Sequence, residues 1–256
     1  MCYNIKLECD GEMKDDFLKD AATRARVFKL AGISETAVRE LIKDLAVEDN
    51  VSIGYLTGSG EIQVKITVQN DHANLDNKLE AVAAKVQARL EEYIFSCDGE
   101  VIEDLVGALL RQSGLTIALA ESCTGGLISA RLTDLPGSSV YFKGGVVAYS
   151  NELKQSFLGV PSEVLEKHSA VSRETALAMA GGIRNRASSD IGLSVTGIAG
   201  PGGNTPDKPL GLVYIGLSAA SGELCGRYVF PGNRAGVRQG TVNAALNTVR
   251  RFLSKA

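Results

Sequence analysis

The chain has 256 residues, 45% apolar and 22% charged, the composition of an ordinary globular protein long enough for one large domain or two smaller ones. Its formal net charge is −3, with the signs mixed along the chain, so no basic block is present to recruit nucleic acid or an anionic membrane surface. No apolar run reaches the length of a membrane span, and the five cysteines are scattered without CxxC spacing, so neither a disulfide framework nor a zinc site is indicated.

Residues 1–22 carry Asp10, Glu12, Asp15, Asp16 and Asp20 and read as an acidic leader without the cationic and apolar zones of a signal peptide; a cytoplasmic location is the default expectation. A small α/β subdomain is expected over 23–97. Ser34 is placed to cap a helix bearing Val38, Leu41, Ile42 and Leu45. Val51 to Tyr55 reads as a strand. Ile62, Val64, Ile66 and Val68 alternate with polar residues as a half-buried strand does. Leu75, Leu79, Val82, Val86, Leu90 and Ile94 then mark one face of a long helix. The order helix, strand, strand, helix raises RNA binding as a possibility. Against it, residues 1–97 hold 12 Lys and Arg and 17 Asp and Glu, and so lack the footprint for phosphate contacts. Packing or dimerisation is the favoured role.

Cys97-Asp98-Gly99-Glu100 is the expected boundary, with a second domain over 98–256. A helix from Val101 to Arg111 feeds a short apolar strand, Leu115 to Ala120. The stretch Ala120 to Gly126, AESCTGG, then leads into an amphipathic helix that carries Leu127, Ile128, Leu132 and Leu135. Gly144 to Tyr149 reads as a second strand, with Asn151 as N-cap of a short helix that places Lys154 in its first turn. A helix from Pro161 ends near His168, another starts at Ser172, and Asp190 to Thr196 forms a third strand running into the glycine-rich 197–203. Leu210 to Ala219 and Leu224 to Phe230 pair through Ser221-Gly222. A last helix has Arg234 and Arg238 at its start, where basic residues oppose the dipole and are free to serve a ligand.

Two positions suggest chemistry. Ser122 is expected at a helix N-terminus, whose N–H groups and positive dipole end can stabilise an oxyanion. The competing reading makes Ser122 or Thr124 a simple helix cap. A lysine in a first helical turn meets the same positive potential, which lowers its pKa and lets the neutral amine take a proton from a hydroxyl. The competing reading there is an ordinary solvated lysine. His168 is read as closing its helix rather than as a catalyst. With only His72 and His168 present, a histidine-rich metal centre is not expected, and chemistry without bound metal or cofactor is.

These motifs resemble the CinA C-terminal domain family, known as nicotinamide-nucleotide amidase. The resemblance rests on AESCTGG (Ala120–Gly126), GSSVYFKGGVVAYSNELK (Gly137–Lys154), HSAVS (His168–Ser172), VTGIAGPGG (Val195–Gly203) and KPLGLVYIG (Lys208–Gly216), in family order. Arg24 to Cys97 resembles the KH-like subdomain that precedes this domain in full-length CinA proteins. Their molybdopterin-binding-like domain does not appear in this sequence, and its pyrophosphatase activity is not carried over. The resemblance implies an α/β class fold with a three-layer α/β/α sandwich. It implies deamidation of nicotinamide mononucleotide to nicotinic acid mononucleotide and ammonia, in pyridine nucleotide salvage.

Ser122 would be the nucleophile, Lys154 its base, and Tyr149 a proton relay or orienting group. N–H groups around Thr124 and Gly125 would hold the oxyanion. Gly145, Thr196, Gly197, Gly200 and Arg234 are assigned to substrate binding. The implied partners are a small-molecule nucleotide and a second copy of the chain in a homo-oligomeric dimer, without nucleic acid or membrane. One departure stands out: Ser169 occupies a position where the family commonly has glycine, and a positive φ there would be strained. Three alternatives remain, namely a serine amidase for another carboxamide, a catalytically silent ligand-binding or assembly protein on the same fold, and Cys123 as nucleophile.

Overall fold

The computed structural model describes residues 23–47, 49–58, 60–69, 75–97 and 99–254; the acidic leader lies outside the described residues. The chain divides into two compact units, with the division after Val101.

In the first unit the elements run β1 (Thr23–Leu30), α1 (Glu35–Ile42), β2 (Val51–Gly58), β3 (Glu61–Gln69), α2 (Leu75–Leu90) and β4 (Ile94–Ser96). The sheet order is β2-β3-β1-β4 and every pair is antiparallel, so two split βαβ units interleave. The expected order of helix, strand, strand, helix lacks β1 and β4. In β1 only Phe28 and Leu30 are fully buried, because Arg24 and Arg26 reach out to Asp76 at 3.1 Å and Glu80 at 2.6 Å on α2. Ile94 continues the apolar spacing of α2 but belongs to β4, and a four-residue step fits a helix face equally well.

Ser34 caps α1 as expected, accepting from the Ala37 N–H at 3.2 Å. Val38, Ile42, Val64, Ile66, Val82 and Val86 form the core, while Leu41, expected there, is exposed. Cys97 is disulfide-bonded, which the scattered cysteine spacing did not indicate, and Cys123 and Cys225 are free thiols.

The second unit contains α3 (Ile102–Ser113), β5 (Ile117–Glu121), α4 (Leu127–Thr133), β6 (Phe142–Val147), α5 (Asn151–Leu158), α6 (Ser162–His168), α7 (Arg173–Ala187), β7 (Ile191–Gly197), β8 (Leu212–Ala219), β9 (Gly222–Val229) and α8 (Arg234–Leu253). Its sheet order is β6-β5-β7-β8-β9. The first three strands are parallel, and β8 and β9 are antiparallel additions. Strand β5 is central and buried on both faces, which explains its continuous apolar run. Ala118 and Ala120 face Met179 and Ile183 of α7, in a cluster that also takes in Leu158 and Leu165 from α5 and α6. On the opposite face Glu121 points to α4, which packs with α3 and α8. The result is the three-layer α/β/α sandwich.

This winding positions the site. From β5 the chain turns to α4 on one face, and from β6 it turns to α5 on the other. The segments that leave the carboxyl ends of β5 and β6 therefore lie side by side, at the end of the sheet where open parallel sheets bind ligands.

The loop between α6 and α7 carries Ser169 at φ 67° and ψ 172°, a region that only glycine enters freely. Lys208 holds this loop, donating to the His168 and Val171 carbonyls at 3.0 and 2.8 Å and to the Ser169 hydroxyl. Ser169→Gly removes the steric conflict while Lys208 keeps both carbonyl bonds. The substitution is expected to raise stability by about 1 kcal/mol. Thermal melting of parent and variant side by side checks this, and a lower melting temperature in the variant would contradict it.

Candidate active site

Helix α5 begins at Asn151, and its cap is Ser150 rather than Asn151: the Ser150 hydroxyl accepts from the Leu153 N–H at 3.2 Å. Lys154 thus lies in the first turn, and its side chain folds back over the helix start rather than out to water. It is 1% exposed. Its ammonium nitrogen donates to the Ala148 carbonyl at 2.8 Å, the Tyr149 carbonyl at 3.4 Å and the Ser122 hydroxyl at 3.2 Å. No carboxylate pairs with it among the described residues. Burial holds the Lys154 pKa below the ordinary lysine range, against the opposing pull of Cys123 and Glu152. The solvated-lysine reading is therefore excluded.

Ser122 directly follows β5, and its N–H still bonds the Val195 carbonyl at 3.1 Å, continuing the strand pairing. The expectation that it sits at a helix N-terminus is corrected by the turn that follows. Gly125 at φ 61° and Gly126 at φ 95° take left-handed conformations, and α4 starts only at Leu127. Neither Ser122 nor Thr124 caps it. The carboxylate of Glu121 does so from the end of β5, accepting from the N–H groups of Gly126, Ile128 and Ser129 at 2.9, 3.2 and 2.8 Å and from the Ser129 hydroxyl at 2.7 Å. Sequence reasoning missed Glu121. The available signal was a carboxylate closing an apolar strand, ahead of a helix whose own N-cap is a glycine.

The Gly125 N–H, expected as an oxyanion donor, is committed to the Ser122 carbonyl at 3.1 Å. The N–H groups of Cys123 and Thr124 have no backbone acceptor among the described residues. The Thr124 hydroxyl and the Arg238 Nε are buried without partners among the described residues, and Arg238 Nη2 donates to the Thr124 carbonyl at 2.7 Å. Burial pushes the Cys123 thiol up to about 11, so it stays protonated at neutral pH and is a poor nucleophile.

Arg234 joins two segments. It donates to the Gly200 carbonyl at 2.8 Å and to the Tyr149 phenol oxygen at 3.0 Å. The Tyr149 side chain therefore faces Arg234, and it is the Tyr149 main-chain carbonyl that meets Lys154. Other residues assigned to substrate binding also have close contacts within the fold. The Thr196 hydroxyl donates to the Ala170 carbonyl at 2.7 Å. Gly197 lies against β8, where an added Cβ would come within 2.6 Å of Val213. Gly145 leaves room for Ser129, since a Cβ there would lie 2.5 Å from the Ser129 hydroxyl oxygen. Among the described residues no group of three or more His, Cys, Asp or Glu side chains gathers as metal ligands would, and no helix is long and apolar enough to cross a membrane.

The chain is similar in sequence and fold to known proteins. The CinA C-terminal domain model covers residues 99–253, and the model of the damage-inducible protein CinA KH domain covers residues 25–96. A protein of Desulforudis audaxviator, named as a competence-damage inducible protein, is 50% identical over 91% of this chain and 56% of its own length. A CinA-like protein of Geotalea uraniireducens is 44% identical over 90% of this chain and 55% of its own. This chain thus spans little more than half the length of these curated relatives. Among solved structures, the competence/damage inducible protein CihA of Agrobacterium tumefaciens is 40% identical, with a TM-score of 0.58 over 62% of this chain and 99% of that one. A CinA superfamily protein of Escherichia coli is 30% identical, with a TM-score of 0.57 over 61% and 94%. The chain belongs to the CinA family, with the KH domain followed by the C-terminal domain.

Proposed function

We propose that the C-terminal unit is a serine amidase that deamidates nicotinamide mononucleotide to nicotinic acid mononucleotide and ammonia. The observation that carries this reading is the buried Lys154 amine, 3.2 Å from the Ser122 hydroxyl and without an acidic partner. Such an amine loses its proton more readily than an exposed lysine does, and the neutral form can accept one from serine.

Ser122 Oγ attacks the carboxamide carbon as its proton passes to Lys154. The oxyanion that forms takes hydrogen bonds from the Cys123 and Thr124 N–H groups. Collapse breaks the C–N bond, ammonia leaves with the proton from Lys154, and water hydrolyses the acyl-serine with Lys154 again as base. Tyr149 orients the base through its main-chain carbonyl, and its phenol with Arg234 forms a wall of the substrate cleft. Arg234 and Arg238, neither paired with a carboxylate among the described residues, supply positive charge for the substrate phosphate, with Gly200 and Thr124 holding them in place. No cofactor enters this chemistry.

Ammonia release from nicotinamide mononucleotide, the dephosphorylated riboside, free nicotinamide and unrelated small carboxamides tests the substrate assignment. The mononucleotide is expected to be turned over best. Equal turnover of the riboside would remove the phosphate from the account, and saturable binding without ammonia would replace the amidase with a ligand-binding protein. Cys123→Ala is expected to keep activity within about twofold of the parent, because a thiol that stays protonated contributes no nucleophile. Loss of activity in that variant would return Cys123 to candidacy.

A further inference from the structure

We infer that Glu121 is a positioning residue that fixes the distance between Ser122 and Lys154, acting on both groups at once. This inference rests on the proposal that Ser122 is the nucleophile. Through its side chain, Glu121 takes up three N–H groups of the turn and first turn of α4, as well as the Ser129 hydroxyl. The Leu127 N–H bonds the Thr124 carbonyl at 3.4 Å, so each N–H from Gly126 to Ser129 has an acceptor and this helix end is closed. The turn carrying Ser122 is thereby pinned at its far side. Through its main chain, the carbonyl of the same residue accepts from the Ala148 N–H at 2.9 Å, and the Ala148 carbonyl in turn accepts from the Lys154 amine at 2.8 Å. One residue therefore anchors the segment that carries the nucleophile and the segment that holds the base.

The carboxylate is needed because three of the four groups facing it are backbone N–H donors, and the fourth, the Ser129 hydroxyl, donates to it as well. An amide at this position would offer one oxygen and one NH2 group, and the NH2 would meet backbone N–H groups with nothing to accept. Glu121→Gln keeps size and shape while leaving buried donors unpaired, so the turn relaxes without losing its side-chain volume. Glu121 touches neither Ser122 Oγ nor Lys154 Nζ. Its part in a reaction is to hold the geometry of the two groups, so it is expected to alter the rate of attack and not the affinity for substrate.

The experiment is performed on the full chain with a fluorophosphonate probe, read as the rate of labelling at Ser122 by peptide mass, beside kcat and KM for ammonia release from nicotinamide mononucleotide. In labelling, Ser122 Oγ bonds phosphorus, fluoride leaves, and the serine proton passes to Lys154. Glu121→Gln that retains its cooperative melting transition is expected to label at least tenfold more slowly and to lose kcat by the same factor, with KM within twofold of the parent. A residue with a merely structural role would leave the labelling rate of the folded variant unchanged, and that result overturns the inference. Should Glu121→Gln fail to fold, Ser129→Ala decides: it removes one of the four donors, and slower labelling supports the inference whereas a parental rate overturns it. A parent that labels at Ser122 yet releases no ammonia would sink the substrate assignment and leave the role of Glu121 standing. A parent that does not label at Ser122 would overturn both.

Discussion

Lys154→Met is expected to lower amide hydrolysis by roughly a thousandfold or more, the scale on which a positioned base contributes when it also delivers the leaving-group proton. Methionine preserves the length and apolar stem of the side chain, so the core around α5 stays filled. What disappears is the proton acceptor 3.2 Å from Ser122. Lys154→Arg, which keeps a cation that does not deprotonate, is expected to be equally inactive. The parent should gain activity as pH rises through a midpoint below the ordinary lysine range, since burial favours the neutral amine.

The same shift makes a stability prediction. A lysine whose folded pKa is depressed binds fewer protons in the folded state than in the unfolded chain. Its burial cost is fully present below the folded pKa and fades as pH rises towards the unfolded value of about 10.4. Melting of parent and Lys154→Met at neutral pH and near pH 10 should therefore show the balance shifting towards the parent at the higher pH. A difference that is independent of pH, or parental kcat in the variant, would contradict the assignment.

The second large effect concerns Gly182, in the middle of α7. A glycine there costs about 1 kcal/mol of helix propensity relative to alanine. It persists because α5 passes so close that an added Cβ would lie 1.9 Å from the Leu158 carbonyl oxygen and 2.9 Å from the carbonyl carbon. Both are backbone atoms and cannot rotate away. Gly182→Ala must therefore push α5 off α7, an overpacking cost of about 3 kcal/mol or more, of which propensity returns about 1. A net loss of about 2 kcal/mol corresponds to a fall of roughly 4–8 °C in melting temperature for a unit of this size. Because α5 carries Lys154 in its first turn, the variant should also lose activity beyond what unfolding explains. Unchanged melting would show that the helices part freely.

Much of this was legible in the sequence. The continuous apolar run of β5, the alternation in β3 and the cap at Ser34 each follow from a local pattern that burial then enforces. The nucleophile and base candidates were visible for the same reason, since a serine beside paired glycines and a lysine in a first turn are both local signals. The hidden features depend on contacts distant in sequence. Strand β1 presents Arg24 and Arg26, and only their pairing with Asp76 and Glu80 on α2 makes them compatible with a packed sheet. Glu121 read only as part of the stretch that follows the strand, and its role as a cap shows once the chain turns back to place α4 above it. Thr196 and Gly197 read as part of a ligand loop, and their contacts with Ala170 and Val213, each on another segment, were not visible in the sequence. Tyr149 was assigned to the lysine by proximity along the chain. Its carbonyl meets the lysine, while its ring turns to an arginine 85 residues away.

The most direct test of the central claim is ammonia release from nicotinamide mononucleotide by the parent and by Ser122→Ala under identical conditions. The account predicts steady release by the parent and a loss of roughly four orders of magnitude or more in the variant, the scale seen when a covalent nucleophile is removed. Release by Ser122→Ala at a rate near that of the parent would contradict the mechanism, and the reaction would then have to be carried by some group other than the serine that Lys154 touches.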